Sequence, residues 1–167
     1  MTFNFIDNSF VSFASYADVV QRDARLFESN EALTQEVVAE LLALSAQRIL
    51  SKIQADSWWK DYNFKRDASL NYDVRLLPTV DPTKIDSREQ EFKDLNVFYC
   101  FSAYLLPSVA DFSSETSEVV KINYYRDEYA ALYKETLEAG DWYNFDGIAG
   151  ISVADKQPSL RNRVRVR

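Results

Sequence analysis

Histidine is absent from this chain, and its absence removes much of ordinary enzyme chemistry. There is no imidazole for a Ser-His-Asp or Cys-His pair, no near-neutral acid–base group of the usual kind, and no common zinc site. Cysteine is almost as scarce. The lone Cys100 forms no intrachain disulfide and has no imidazole to activate it. Its neighbours Val97, Phe98, Tyr99 and Phe101 mark it as a small buried hydrophobe. Glycine occurs three times, as Gly140, Gly147 and Gly150, so no glycine-rich loop before residue 140 can cradle a phosphate. The same gap suits long helices joined by polar turns. No apolar run reaches the roughly 18 residues that a membrane helix needs. The first ten residues hold an acid and no Lys or Arg, which is unlike a secretory signal. The expectation is a chain that is intracellular and soluble when made.

What is present is globular in character. The 167 residues are 47% hydrophobic and 27% charged, a composition able to bury one core. Aromatic residues reach 14%, too many for a core of this size to hide, which favours partner binding. The net charge of −7 conceals an asymmetry. Lys156, Arg161, Arg163, Arg165 and Arg167 take five of the 19 basic residues into a tail without acids. The other 14 face all 26 acids, so residues 1–155 sum to −12 and the tail to +5. A body that acidic repels a phosphate backbone, whereas the tail attracts an acidic partner, including another copy of the body.

Periodicity predicts a mainly α fold. It comprises a bundle of about four helices, with a small β element in a central loop and an extended C-terminal arm. The first ten or so residues are extended in character, with Phe3 and Phe5 alternating with Thr2 and Asn4. Ser15-Tyr16-Ala17-Asp18 is a capping-box start for a short helix ending near Asn30. A second helix runs from about Thr34 to about Gln54, with Val38, Leu42, Ile49 and Ile53 at helical spacing. Ser87-Arg88-Glu89-Gln90 reads as a capping box for a third, broad-striped helix that Pro107 ends or kinks. After a polar turn over Asp111–Ser117, a fourth helix carries Val119, Ile122, Tyr125, Tyr129 and Tyr133 and stops at Gly140. Between helices two and three lies an inserted loop, 57–86. Within it Leu70, Tyr72, Val74 and Leu76 alternate with polar residues as a half-buried strand does. The domain reading is therefore 1–155 for the helical body and 156–167 for the basic arm.

Three features are candidates for function. The arm ends Arg161-Asn162-Arg163-Val164-Arg165-Val166-Arg167. As a strand it would place valines on one side and arginines on the other, suited to addition at a sheet edge and to bidentate carboxylate pairing. The bland alternative is a frayed terminus. Trp58-Trp59 and Trp142-Tyr143 form the second feature. Adjacent bulky rings seldom both point inward, so one member of each pair is expected in the core and the other at an interface. The strand residues Leu70, Tyr72 and Val74 complete the interface candidates. Asp61 with Asp67, Glu89 with Glu91, and Asp141 with Asp146 are the carboxylate pairs that leave a magnesium site or a two-carboxylate hydrolase formally open. With 26 acids such pairs arise by chance, and no catalytic, metal or cofactor residue is assigned.

The order of elements resembles a known family. Ser15-Tyr16-Ala17-Asp18-Val19-Val20 opens a short capped helix. Leu33-Thr34-Gln35-Glu36-Val37-Val38-Ala39-Glu40-Leu41-Leu42 opens a longer one. An inserted loop, two more helices and an extended tail follow. This layout resembles the head–tail connector proteins of tailed bacteriophages, also called adaptor or head-completion proteins. The resemblance implies a non-enzymatic virion protein of the neck, made in the host cytoplasm. It implies a ring, commonly twelvefold, between the portal protein and other neck or tail-completion proteins. The arm would dock on the portal, the loop would face the channel or the next tail component, and DNA would pass an acidic wall without specific binding. Neither a membrane nor a cofactor is implied. Segment 141–155 departs from the family layout. The rivals are an acidic DNA-mimic inhibitor of a DNA-binding protein and a carboxylate-only metal-dependent hydrolase.

Overall fold

In the computed structural model, residues 3–7, 9–110, 117–147, 150, 151 and 155 are described. The arm residues Arg161, Arg163, Val164, Arg165, Val166 and Arg167 and the turn over 111–116 lie outside the described residues. The chain begins with a hairpin. Strands β1 (Asn4–Ile6) and β2 (Ser9–Ser12) pair antiparallel, Asp7 at φ 50° opens the turn, and Phe3, Phe10 and Phe13 pack edge-on beneath it. Helix α1 (Tyr16–Arg22) starts where Ser15 and Asp18 cap each other. The Ser15 amide donates to the Asp18 carboxylate at 2.7 Å, and the Asp18 amide donates to the Ser15 hydroxyl at 3.4 Å. A break at Asp23, whose carboxylate caps α2 (Ala24–Glu28), divides what the sequence pattern joins into one helix.

Helix α3 (Gln35–Ala55) keeps its expected bounds, with Thr34 as N-cap and Val38, Leu42, Ile49 and Ile53 buried. Helix α5 (Glu89–Cys100) packs between α3 and α7 (Ser117–Ala139), and the stripe Phe92, Leu95, Phe98 is buried as its width implies. The capping box expected at Ser87 does not form. Ser87 instead donates to the Asp141 carbonyl, and Arg88 turns to the Asp141 carboxylate. Approaching Pro107, α5 widens into a π-helical segment (Phe101–Leu105). There the Leu106 amide reaches back to the Phe101 carbonyl, before a last turn, α6 (Leu106–Val109). Proline has no amide to continue the ladder, so widening and stopping replace a sharp kink. Helix α7 ends at Gly140, whose φ of 65° is a left-handed exit that glycine takes without strain.

The architecture is thus mainly helical with one small antiparallel sheet. The sheet lies at the N-terminus, not in the central loop. The expected strand over Leu70–Leu76 is absent. Residues 57–66 form a helix, α4 (Ser57–Arg66), and the rest of the insert is a run of 3-10 turns at Ala68–Leu70, Val74–Leu76 and Pro82–Lys84. Each turn is nucleated by an aspartate two residues upstream of the amide that it accepts. Asp67 binds the Ser69 amide at 2.9 Å, Asp73 the Arg75 amide at 3.0 Å and Asp81 the Thr83 amide at 2.9 Å. Among the described residues, no helix is long and apolar enough to cross a membrane.

Candidate functional site

The insert is fastened to the bundle by aromatic rings. Trp58, Trp59 and Tyr62 lie on one flank of α4, and they meet the segment after α7 ring by ring. Trp58 sits 4.9 Å from Trp142, Trp59 5.0 Å from Tyr143, and Tyr62 3.7 Å from Phe145. Trp58 is 9% exposed and Trp59 1%, while Trp142 and Tyr143 are also buried. The expectation that one ring of each adjacent pair faces outward therefore fails. Two segments face each other here, so neighbouring rings on each find partners on both sides. Trp58 and Trp59 belong to the core. Segment 141–145, which fits no part of the connector layout, is a wall of that core. Main-chain bonds from Asp86 to Trp142 (3.2 Å) and from Asn144 to Lys84 (2.8 Å) tie it to the insert.

Beside this aromatic box opens a recess of about 780 Å³. Its floor is Trp59, Tyr143 and Phe145. One wall comes from α4 through Asn63 and Arg66, and the other from the 3-10 run through Leu70, Leu76, Pro78 and Thr79. Two ring polar groups hold the second wall in place. The Trp59 indole donates to the Pro78 carbonyl at 3.1 Å, and the Tyr143 hydroxyl accepts from the Asp81 amide at 3.2 Å. Burial pushes the Tyr143 phenol up to about 12, so it remains a neutral anchor at physiological pH. Between those two fixings the chain is neither helix nor strand, and neither Thr79 nor Val80 makes a main-chain hydrogen bond to a described residue.

The rim is apolar and exposed. Tyr72, Val74 and Leu76 are 79%, 56% and 57% exposed. Leu70 is half-buried and lines the recess. Tyr72 holds φ 58° without being a glycine, and its ring rests 5.3 Å from Phe64. Asp67 and Asp81 add charge to the rim. In each, one carboxylate oxygen serves the local turn, through Ser69 at Asp67 and Thr83 at Asp81, and the Ser69 hydroxyl and amide keep Asp67 below its ordinary pKa.

Arg66 forms the corner nearest Asp155. Its guanidinium lies 5.5 Å from the Tyr62 and Phe145 ring centroids, donates to the Tyr62 hydroxyl, and stands 3.8 Å from the Asp155 carboxylate. Asp155 is fully buried and accepts the Phe145 and Asp146 amides at 2.8 and 3.1 Å. The basic arm is therefore rooted at the edge of the recess, a contact that no sequence pattern announces.

Cys100 is buried as expected, and burial raises its thiol pKa to about 12. Of the carboxylate pairs, Asp141 is engaged by Arg88. Among the described residues no group of three or more His, Cys, Asp or Glu side chains is placed to hold a metal ion. The arrangement suits binding an extended segment: an aromatic floor, an unpaired backbone stretch and an apolar rim. No family model, curated protein or solved structure matches this chain.

Proposed function

We propose that this protein is a structural component of the phage neck, a ring-forming connector between portal and tail that docks through its C-terminal arm. One observation carries the reading. The chain leaves two apolar stripes uncovered on different helices. Val37 and Leu44, 40% and 48% exposed, lie seven residues apart on one face of α3. Val120 and Tyr124, 63% and 56% exposed, lie four apart on one face of α7. Both stripes sit away from the buried face of their helix. Two different patches that meet each other on neighbouring copies give head-to-tail contacts, which generate a ring when the rotation closes. The long helices stacked through α5, the insert between α4 and α5, and the acidic body against a +5 arm agree with this role.

Native mass measurement tests it. The full chain should assemble into a ring on a portal oligomer from the same phage genome. A chain lacking 156–167 should stay folded and fail to join. Normal joining by the truncated chain would remove the arm from the reading. A persistent monomer that instead blocks a DNA-binding protein would favour the DNA-mimic alternative, for which the acidic body is the supporting feature.

A further inference from the structure

We propose that the recess beside the aromatic box seats the chain's own segment 156–167 as an added strand when no partner holds it. This inference goes beyond the connector reading and stands whether or not that reading survives.

Four observations converge on that occupant. The first is position. Asp155, the residue before the segment, is locked by Arg66 and by the Phe145 and Asp146 amides, and Arg66 and Phe145 themselves line the recess. Twelve extended residues reach roughly 40 Å, far more than the distance across one wall. The second is backbone chemistry. Thr79 is exposed and lies outside any helix or strand, its amide and carbonyl have no main-chain partner among the described residues, and anchors at Pro78 and Asp81 flank it. A fixed, unpaired stretch of this kind accepts an extended segment through main-chain hydrogen bonds.

The third is side-chain pattern. Val164 and Val166 in extended geometry share one face, matching the apolar rim of Leu70 and Leu76. The fourth is charge. Asp67 and Asp81 each spend one oxygen on a local turn, and among the described residues the second oxygen accepts no hydrogen bond, so each can receive an arginine. Of the recess cations, Arg66 is already turned onto two rings and Asp155. Lys84 also lines the recess, so the complementarity rests on the open carboxylate oxygens rather than on net charge.

The test uses the full chain and reads trypsin cleavage after Arg161 by mass spectrometry at several protein concentrations. Two variants accompany it. One is Val164→Ser with Val166→Ser, in the arm. The other is Leu76→Asp on the recess rim, where the side chain is 57% exposed and its replacement spares the core. The seated arm should be cut about tenfold more slowly in the natural chain than in either variant, at a rate independent of protein concentration. Equal rates in all three chains would overturn the proposal, because the arm would not be seated. Protection kept in Leu76→Asp and lost in the arm variant would overturn it by placing the arm elsewhere. Protection that grows with concentration would overturn it in favour of a neighbouring copy's arm.

Discussion

Asn96 offers the sharpest test of how the N-terminal hairpin is held to the bundle. It sits on α5, is fully buried, and spends its whole side-chain amide on other elements. Its carbonyl oxygen accepts the Phe13 and Ala14 amides, both at 3.1 Å, and its NH2 group donates to the Leu42 carbonyl of α3 at 3.1 Å. In Asn96→Ala the two amides stay buried with nothing to bond. Each such orphan costs about 1–3 kcal/mol. The Leu42 carbonyl lies within α3 and keeps its helical partner, so it adds little. Water entering the vacated space offsets part of the loss, which leaves about 3 kcal/mol. With a urea slope near 2 kcal/mol/M for a chain of this size, the unfolding midpoint should fall by roughly 1.5 M. Asn96→Leu fills the volume and still strands both amides, so it should cost about as much. Asn123→Ala, on the exposed side of α7, should change stability by less than about 0.5 kcal/mol. A loss below about 1 kcal/mol in Asn96→Ala, or recovery in Asn96→Leu, would refute the hydrogen-bond account.

Three further outcomes follow from buried groups. Tyr129 and Tyr133 bury hydroxyls that have no hydrogen-bond partner among the described residues, so Tyr129→Phe with Tyr133→Phe should leave the urea midpoint unchanged or raise it. A fall of more than about 1 kcal/mol would mean that those hydroxyls are bonded. Burial raises the phenols of Tyr125, Tyr129, Tyr133 and Tyr143 above the unfolded value near 10, so the folded state holds their protons more tightly. Their contribution is complete below pH of about 10 and is lost as pH climbs through the folded values, so urea midpoints should be level to about pH 9.5 and decline above it. Tyrosinate absorbance rising in a single step near the free-phenol value, with the fold intact, would contradict this. Cys100, with its thiol raised to about 12 by burial, should react with a thiol reagent at least about a hundredfold more slowly than in denaturant. Reaction at the free-thiol rate would place the sulfur at the surface.

The long helices were legible because a core stripe repeats every three to four residues, α3 begins at its Thr34 cap and α7 ends at Gly140. The insert was not, for two physical reasons. Leu70, Tyr72, Val74 and Leu76 have a period of two, which normally marks a strand. Here the backbone is governed instead by Asp67, Asp73 and Asp81, each followed two residues later by the amide that it caps. That recurring aspartate was the readable signal for turns. Helix α4 was hidden because its buried residues, Trp58, Trp59 and Tyr62, are stabilised by rings some 80 residues further on. Such long-range pairing leaves no local trace. The same holds for the recess, whose floor and two walls draw on three separate stretches of chain. The tail's charge and alternation were plain from composition, but its anchorage at Asp155 required the fold.

That anchorage has a kinetic and thermodynamic consequence. Asp155 is held by Arg66 and by the Phe145 and Asp146 amides, so on the proposed seating the segment 156–167 starts from a fixed root. A flexible segment of that length spans about 20 Å on average. Its local concentration near its own root is on the order of millimolar. A free peptide of the same sequence with a Kd of about 1 mM would scarcely register in a mixing experiment, yet tethered it would occupy a site at its root about half the time. On the proposed seating, any outside partner must exceed that local supply, and the anchorage at Asp155 then sets the threshold affinity at which the arm is given up.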